Sequence, residues 1–185
     1  MKWRDIKSLI EADSVRNGGE KNNIVSFVIK NVFGGRNTSS QFLFWLRLCS
    51  ANNKILRSIA KIQRVRLTRK YGLQIPERCL IGKGLELPHA MSIVVHYNAK
   101  IGKNCTMHQF VTIGGDGKGN APTIGDNCFI GAGAVIVGRV VIGNNVTIGA
   151  NAVVCKDIPD NATVGGVPAK VLHYKHPAKY IKNPI

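Results

Sequence analysis

Histidines are the residues of this sequence best suited to acid–base chemistry near neutral pH, and there are five: His89, His96, His108, His173 and His176. A neutral imidazole can take a proton from a hydroxyl group at physiological pH. His96 is expected at a corner of the fold as a structural or solvated residue, and His173 and His176 fall in a basic C-terminal segment where we expect solvent exposure. Side chains with metal-ligand spacing are not grouped anywhere in the sequence, so no metal site is expected.

A six-residue repeat surrounds His89 and His108 and must position them. Aliphatic residues recur at every sixth position from Ile124 to Val154, and the same spacing begins at Ile75, interrupted by a two-residue slip and by the loop "GGDGKGNAP". Neither a helix face nor an alternating strand recurs with this period. A coil of three short strands with tight corners does recur in this way, and such coils stack about 4.8 Å apart. The repeat therefore predicts a β-solenoid of about five coils.

Each hexapeptide is predicted to turn two side chains into the solenoid. The second lies four residues after the aliphatic one, and the set is Cys79, Leu85, Met91, Cys105, Val111, Cys128, Ala134, Val140, Val146 and Ala152. Cysteines at these positions serve as small core residues. The cysteine count is odd and no CxxC pair occurs, which indicates a reducing, cytoplasmic compartment. On the same spacing His89 points outward, and His108 lies about one coil further along the same wall.

Residues 1–73 predict a helical region, 74–172 the solenoid and 173–185 a basic tail. Helices are predicted over "KWRDIKSLIEAD", "NIVSFVIKNVF" and "QFLFWLRLCSA", the last capped by Ser39 or Ser40, and over 53–71, where Gly72 ends the helix. This last segment combines an apolar stripe with seven basic residues. Either it lies on an anionic bilayer, or it packs its stripe in a helical bundle and solvates a basic face, which is the commoner arrangement.

The chain carries 26 Lys and Arg against 10 Asp and Glu, a formal charge of +16. Such a balance predicts an anionic partner. Aromatic residues make up 6% of the sequence and no nucleic-acid motif is present, which argues against nucleic acid. The N-terminus lacks a long apolar segment and no stretch reaches ~20 apolar residues, so neither a signal peptide nor a membrane span is expected. The expected location is cytoplasmic, with peripheral contact at the inner membrane face.

Four phrases carry a resemblance to a known family: "GLELPHAMSIVV", "IGKNCTMHQFVTIGG", "APTIGDNCFIGAGAVIVG" and "VGGVPAKVL". Residues 75–172 resemble the hexapeptide-repeat acyltransferases, in particular the serine acetyltransferase-like branch and its variants from capsule and exopolysaccharide clusters. The resemblance implies a mainly β fold, a left-handed parallel β-helix preceded by a small α-helical region. It also implies acetyl-CoA as the acetyl donor and a homotrimer with CoA between neighbouring solenoids.

The resemblance further implies roles for individual residues. His89 matches the catalytic histidine, which acts as general base, and His108 is a second candidate in the same groove. Positions expected to line or hold CoA are Gly114, Gly115, Ala132, Ala150 and Lys170, with Lys118 as a further phosphate contact.

Three departures from serine acetyltransferases shape the predicted acceptor. Pro88 and Gln74 stand where those enzymes have aspartates, and Ala121 stands where they have a second active-site histidine; Gln74 is then expected to orient His89 through its amide. Because these losses disfavour a zwitterionic acceptor, we expect transfer to a sugar hydroxyl in surface polysaccharide biosynthesis. Serine O-acetylation for cysteine synthesis is the alternative within the same class, and a non-catalytic solenoid scaffold is the alternative of another class.

Overall fold

The computed structural model describes residues 1–19, 37–175 and 177–185. The helix predicted over "NIVSFVIKNVF" and His176 lie outside the described residues. The helices are α1 (Trp3–Arg16), α2 (Thr38–Leu48) and α3 (Lys54–Tyr71). The strands are β1 (Leu80–Ile81), β2 (Val94–Val95), β3 (Lys100–Ile101), β4 (Thr106–Met107), β5 (Thr112–Gly114), β6 (Thr123–Ile124), β7 (Phe129–Ile130), β8 (Val135–Val137), β9 (Val141–Ile142), β10 (Thr147–Ile148), β11 (Val153–Val154), β12 (Thr163–Gly165) and β13 (Lys170–His173).

The strands form the three walls of a prism. Parallel strands β1, β3, β6 and β9 make the first wall, β4, β7, β10 and β12 the second, and β2, β5, β8 and β11 the third. From β1 to β12, strands that follow one another along the chain lie on different walls, as expected of a coil that visits all three. Strand β13 adds to the second wall in antiparallel orientation. The fold is a left-handed parallel β-helix preceded by helices, as the repeat and the resemblance predicted.

Asparagines build one corner of the prism by stacking directly on one another. Asn104, Asn127, Asn145 and Asn161 have φ between +54° and +63°, a region that asparagine tolerates far better than most residues. In the first three, Nδ2 donates to the Oδ1 of the asparagine in the next coil at 3.0 Å. The interior beside this ladder holds Cys105 and Cys128, both fully buried, which confirms their prediction as core residues.

Two local predictions are wrong. Met91, predicted to point inward, is 51% exposed, and Ala90 is buried instead. The slip in the repeat is the reason: it forms a tight turn in which the Met91 N–H donates to the His89 carbonyl at 2.8 Å. Helix α2 is capped by Asn37, whose Oδ1 accepts from the backbone N–H of residue 40 at 3.1 Å. Neither predicted serine is the cap; both lie inside the first turn.

A buried ion pair attaches the helices to the solenoid. Asp13 of α1 accepts from Arg47 of α2 at 2.7 Å and also from the backbone N–H groups of Gly84 and Leu85, each at 2.9 Å. Arg47 donates in turn to the carbonyl oxygens of Ile81 and Gly82. One continuous core extends from α1 and α2 into the prism. The helices are therefore fixed to the first coil, the segment that leads to His89.

Helix α3 packs with a face different from the one expected. Ala60 and Leu67 are its buried residues, whereas the stripe of Ile55, Ile59 and Ile62 faces solvent. The interpretation in which the stripe packs in a bundle is therefore wrong. Gly72 ends the helix at φ +69°, as predicted. Among the residues that the structure describes, no helix has both the length and the apolar composition needed to cross a membrane.

Candidate functional site

The structure brings His89 and His108 together at the corner between the second and third walls. Their ring centroids are 5.8 Å apart with the planes inclined at 58°. His89 is exposed and His108 is half-buried. The helical region holds Leu87, two residues before His89: the N–H of Leu87 donates to Asn17 Oδ1 at 3.1 Å, and its carbonyl accepts from the hydroxyl of Ser39. The helical region thus fixes the backbone from which His89 projects.

His108 is biased toward its neutral form. Burial lowers the pKa of His108 below its ordinary value of 6.5, and the nearby His89 lowers it further because two adjacent cations repel. The carboxylate of Glu86 and the amide of Gln109 oppose this by favouring the charged ring. The pair consequently offers a neutral imidazole beside a more solvated one, an arrangement suited to proton transfer near neutral pH.

Glu86 is a carboxylate that sequence reasoning missed. Its Oε2 accepts from the Thr106 hydroxyl at 2.8 Å and lies 3.1 Å from Nη2 of Arg16, whose side chain is fully buried. Arg16 also donates to main-chain oxygens of Gly84 and Asn104 at 3.2 Å each. Only 14% of the Glu86 side chain is exposed. Its position in the repeat could have revealed it in the sequence, because the equivalent positions of the later coils are occupied by uncharged residues.

Three of the predicted CoA positions share the edge that bears the histidines. Strand register places Met107, Ile130, Ile148 and Val164 in one column, so the residues that follow them form the edge. Ala132 and Ala150 lie on this edge in successive coils. Lys170 lies on β13 beside Gly165 at its far end, roughly 19 Å from the His108 coil at four strand spacings. A Cβ on Gly131 would approach the Ala150 nitrogen at 2.6 Å, so only small side chains fit here.

The remaining predicted residues lie elsewhere. Gly114 ends β5 and Gly115 follows it, at the opposite edge of the third wall, where a Cβ on Gly115 would lie 2.6 Å from the Asn120 carbonyl and 3.0 Å from His96 Nε2. Lys118 is exposed in the loop beyond them. Gln74 forms a main-chain bridge to the third wall, and across the described ranges its exposed amide has no hydrogen-bond partner. The roles assigned to all of these residues remain predictions.

Phe110 is a second residue that sequence reasoning missed. It has φ +62° and is 54% exposed, directly after the His108 turn. The next coils fill the same corner position with Gly133 and Asn151, which adopt a positive φ at lower cost. A bulky residue in a slot that the repeat reserves for glycine or asparagine was the available signal. Backbone strain of this kind clusters at functional sites, so Phe110 belongs to the candidate site.

The C-terminal tail returns to the wall that carries the histidines, although it was expected to be solvated. The ring of Phe129 contacts His108 on one side and Tyr180 on the other, with centroid separations of 5.1 and 5.0 Å and tilted planes. At its end, Ile185 exchanges hydrogen bonds with the Asn104 side chain at 3.1 Å. The tail thus packs against Phe129, the residue that contacts His108.

Comparisons with known proteins agree with this geometry. Residues 121–156 match the family model "Bacterial transferase hexapeptide (six repeats)". A serine acetyltransferase of Synechococcus elongatus is 39% identical over 105 residues, which is 55% of this chain and 43% of that protein. The chain therefore spans less than half the length of that relative. The structure of Neisseria gonorrhoeae serine acetyltransferase in complex with serine is 30% identical, covers 92% of this chain and 70% of its own, and has a TM-score of 0.71. A serine acetyltransferase structure in complex with CoA, 26% identical, covers 92% and 71% with a TM-score of 0.69.

These relatives overturn the predicted acceptor. The expectation of a sugar hydroxyl in surface polysaccharide biosynthesis is wrong, because the curated and structural relatives named above are serine acetyltransferases. That expectation depended on two lost carboxylates, at residues 74 and 88, and on a lost histidine, at residue 121. The structure shows that a carboxylate, Glu86, stands beside the histidine pair after all.

Sequence, fold and relatives therefore converge. The chain belongs to the hexapeptide-repeat acyltransferases, in their serine acetyltransferase-like branch.

Proposed function

We propose that the chain transfers acetyl from acetyl-CoA to the hydroxyl of serine. His89 takes the hydroxyl proton as the serine oxygen attacks the thioester carbonyl. The tetrahedral intermediate then collapses, the C–S bond breaks, and the proton held by the imidazole passes to the departing sulfur. The products are O-acetylserine and CoA, and no oxidant, reductant or metal takes part in this balance.

The single observation that carries the proposal is the histidine pair at the head of an edge lined by small residues. An exposed imidazole at one end gives the acceptor hydroxyl a base. Ala132 and Ala150 leave room for a long, thin pantetheine arm, and Lys170 offers a cation to phosphate at the far end. The neighbour structures with serine and with CoA support the same pairing of acceptor and donor.

Glu86 supports an amino-acid acceptor. Its carboxylate is partly accessible and is held in one orientation by Thr106 and Arg16, so it can attract the ammonium group of serine. Glu86 thus places a carboxylate oxygen near the histidine pair although residues 74 and 88 are not acidic, and its pairing with Arg16 fixes the orientation of that oxygen. The proposed acceptor is therefore a zwitterion and not a neutral hydroxyl compound.

The proposal includes a homotrimer. Gly114 and Gly115 lie on the edge of the third wall away from the histidines, so one chain alone does not bring all predicted CoA positions together. A neighbouring copy that places this edge against the histidine edge would complete the groove. Light scattering after size exclusion is expected to give three times the mass of the chain.

Release of CoA tests the proposed function directly. L-Serine is expected to drive CoA release from acetyl-CoA, with O-acetylserine identified by mass. L-Alanine, which lacks the hydroxyl, is the matched control and should leave release at background. N-acetylserine, which lacks the ammonium, should react at least about tenfold more slowly if Glu86 holds that group. Equal CoA release with serine and alanine would overturn the proposal.

A further inference from the structure

Helix α3 exposes an apolar stripe on the side that faces away from the protein. Ile55, Ile59, Ile62 and Val65 are 74%, 44%, 67% and 37% exposed. Their spacing of four, three and three residues puts them on one helix face, opposite the buried Ala60. The stripe therefore lies on the surface of the described structure and is not part of its packed core.

Cations surround this stripe. Arg66 and Arg69 continue the same face toward the end of the helix, where they line a shallow groove with Ile62 and Val65. The exposed lysines that flank the stripe are Lys54, Lys61 and Lys70. Helix α3 contains no acidic residue. At one margin Glu77 pairs with Lys61 at 3.4 Å and with Arg64 at 2.8 Å, and no carboxylate of the described residues pairs with Arg66 or Arg69.

We propose that this face of α3 docks on a lipid bilayer with anionic headgroups. Isoleucines along the middle of the face can enter the boundary between headgroups and acyl chains, while the long basic side chains extend outward to the phosphates. Residues 55–65 supply the apolar contact and residues 66–70 most of the charge. The helix would lie in the plane of the surface and hold the solenoid beside it.

Other partners fit the same face less well. Two copies of the chain meeting through it would bring their cations together, on a protein whose net charge is already +16. A nucleic acid would use the cations but gains nothing from exposed isoleucines, and the exposed face of α3 offers no aromatic ring for stacking. A bilayer with anionic headgroups above an apolar layer can contact both the cations and the isoleucines of the helix.

Vesicle flotation of the full chain tests this docking without reference to catalysis. At about 0.1 M salt, the protein is expected to float with phosphatidylcholine vesicles that contain about one-quarter phosphatidylglycerol and to stay behind with pure phosphatidylcholine. The double variant Arg66→Gln/Arg69→Gln should bind about 25-fold more weakly, from about 5-fold for each charge removed. The double variant Ile55→Ser/Ile62→Ser, which keeps every charge, should lose at least about tenfold.

A control variant on another surface tests whether vesicle binding is specific to the exposed face of α3. Leu80→Ser/Val141→Ser removes two apolar side chains, 66% and 53% exposed, from the first wall and should float like the unaltered chain. Serine-dependent CoA release and circular dichroism should be unchanged in the α3 variants, since these residues lie outside the candidate site. The proposal is overturned if the protein stays in solution at low salt, or if the isoleucine variant alters only the oligomeric state or RNA binding. Failure of flotation with intact turnover would leave the proposed enzyme activity standing.

Discussion

The ion pair between α1 and α2 allows a quantitative prediction about how the helices support the site. The Asp13 carboxylate accepts from Arg47 Nε at 2.7 Å and Nη2 at 3.1 Å, and from Gly84 and Leu85 at 2.9 Å. The substitution Asp13→Asn preserves shape but removes the charge, so it leaves a buried guanidinium without its partner. Breaking a buried pair in this way costs about 3–5 kcal/mol, which is a large share of the roughly 5–15 kcal/mol of a typical domain.

Urea unfolding followed by circular dichroism measures this change in the free energy of unfolding. Asp5→Asn is the control, because it makes the same substitution at an exposed position in the first turn of α1 and should cost less than about 1 kcal/mol. The double variant Asp13→Asn/Arg47→Met should recover part of the loss, since it removes the stranded charge. An Asp13→Asn protein within about 1 kcal/mol of the unaltered chain would refute the reasoning that this pair anchors the helices.

Three further predictions concern the corner residues of the prism. In an NMR titration, burial and the neighbouring imidazole should give His108 a protonation midpoint below 6.5. His89→Gln should raise this midpoint and Glu86→Gln should lower it further. A midpoint at or above 6.5 would contradict this prediction. In urea unfolding, Asn127→Ala should lower the free energy of unfolding by about 2–3 kcal/mol, because it removes two ladder hydrogen bonds and leaves alanine at a positive φ. Asn127→Gly should lower it by about 1 kcal/mol less, since glycine adopts this φ freely. Equal losses in the two variants would show that the positive φ carries no cost. Phe110→Asn should raise the free energy of unfolding by about 1 kcal/mol by relieving its positive φ, yet lower kcat/KM for serine; unchanged kcat/KM would remove Phe110 from the site.

The hexapeptide period predicted the prism because one physical rule applies at every coil. An aliphatic residue at every sixth position fills the interior, and asparagine or glycine takes the corner. That rule also put His89 and His108 on one wall, one coil apart, where the structure has them. It failed at Met91, where the slip in the repeat formed a turn and the inward position moved by one residue.

Other features depend on contacts that no local pattern encodes. The accessibility of Glu86 depends on Arg16, which is 70 positions earlier in the chain and reaches the wall only after α1 packs. The course of the tail depends on ring contacts between Phe129 and Tyr180. The orientation of α3 was ambiguous because both of its faces contain aliphatic residues, and only tertiary packing decided that Ala60 and Leu67 face inward. The acceptor was predicted wrongly because single positions were compared without the carboxylate of Glu86, which lies two residues before Pro88.

The central claim is that an exposed imidazole at the corner of the prism acts as the base. The most direct measurement is the kcat/KM for serine-dependent CoA release by His89→Gln, with His173→Gln as the control for loss of an exposed histidine in β13. We expect a fall of about 10²–10⁴-fold for His89→Gln and a change of less than about twofold for the control, with both proteins folded by circular dichroism. A folded His89→Gln protein that retains the kcat/KM of the unaltered chain would contradict the account.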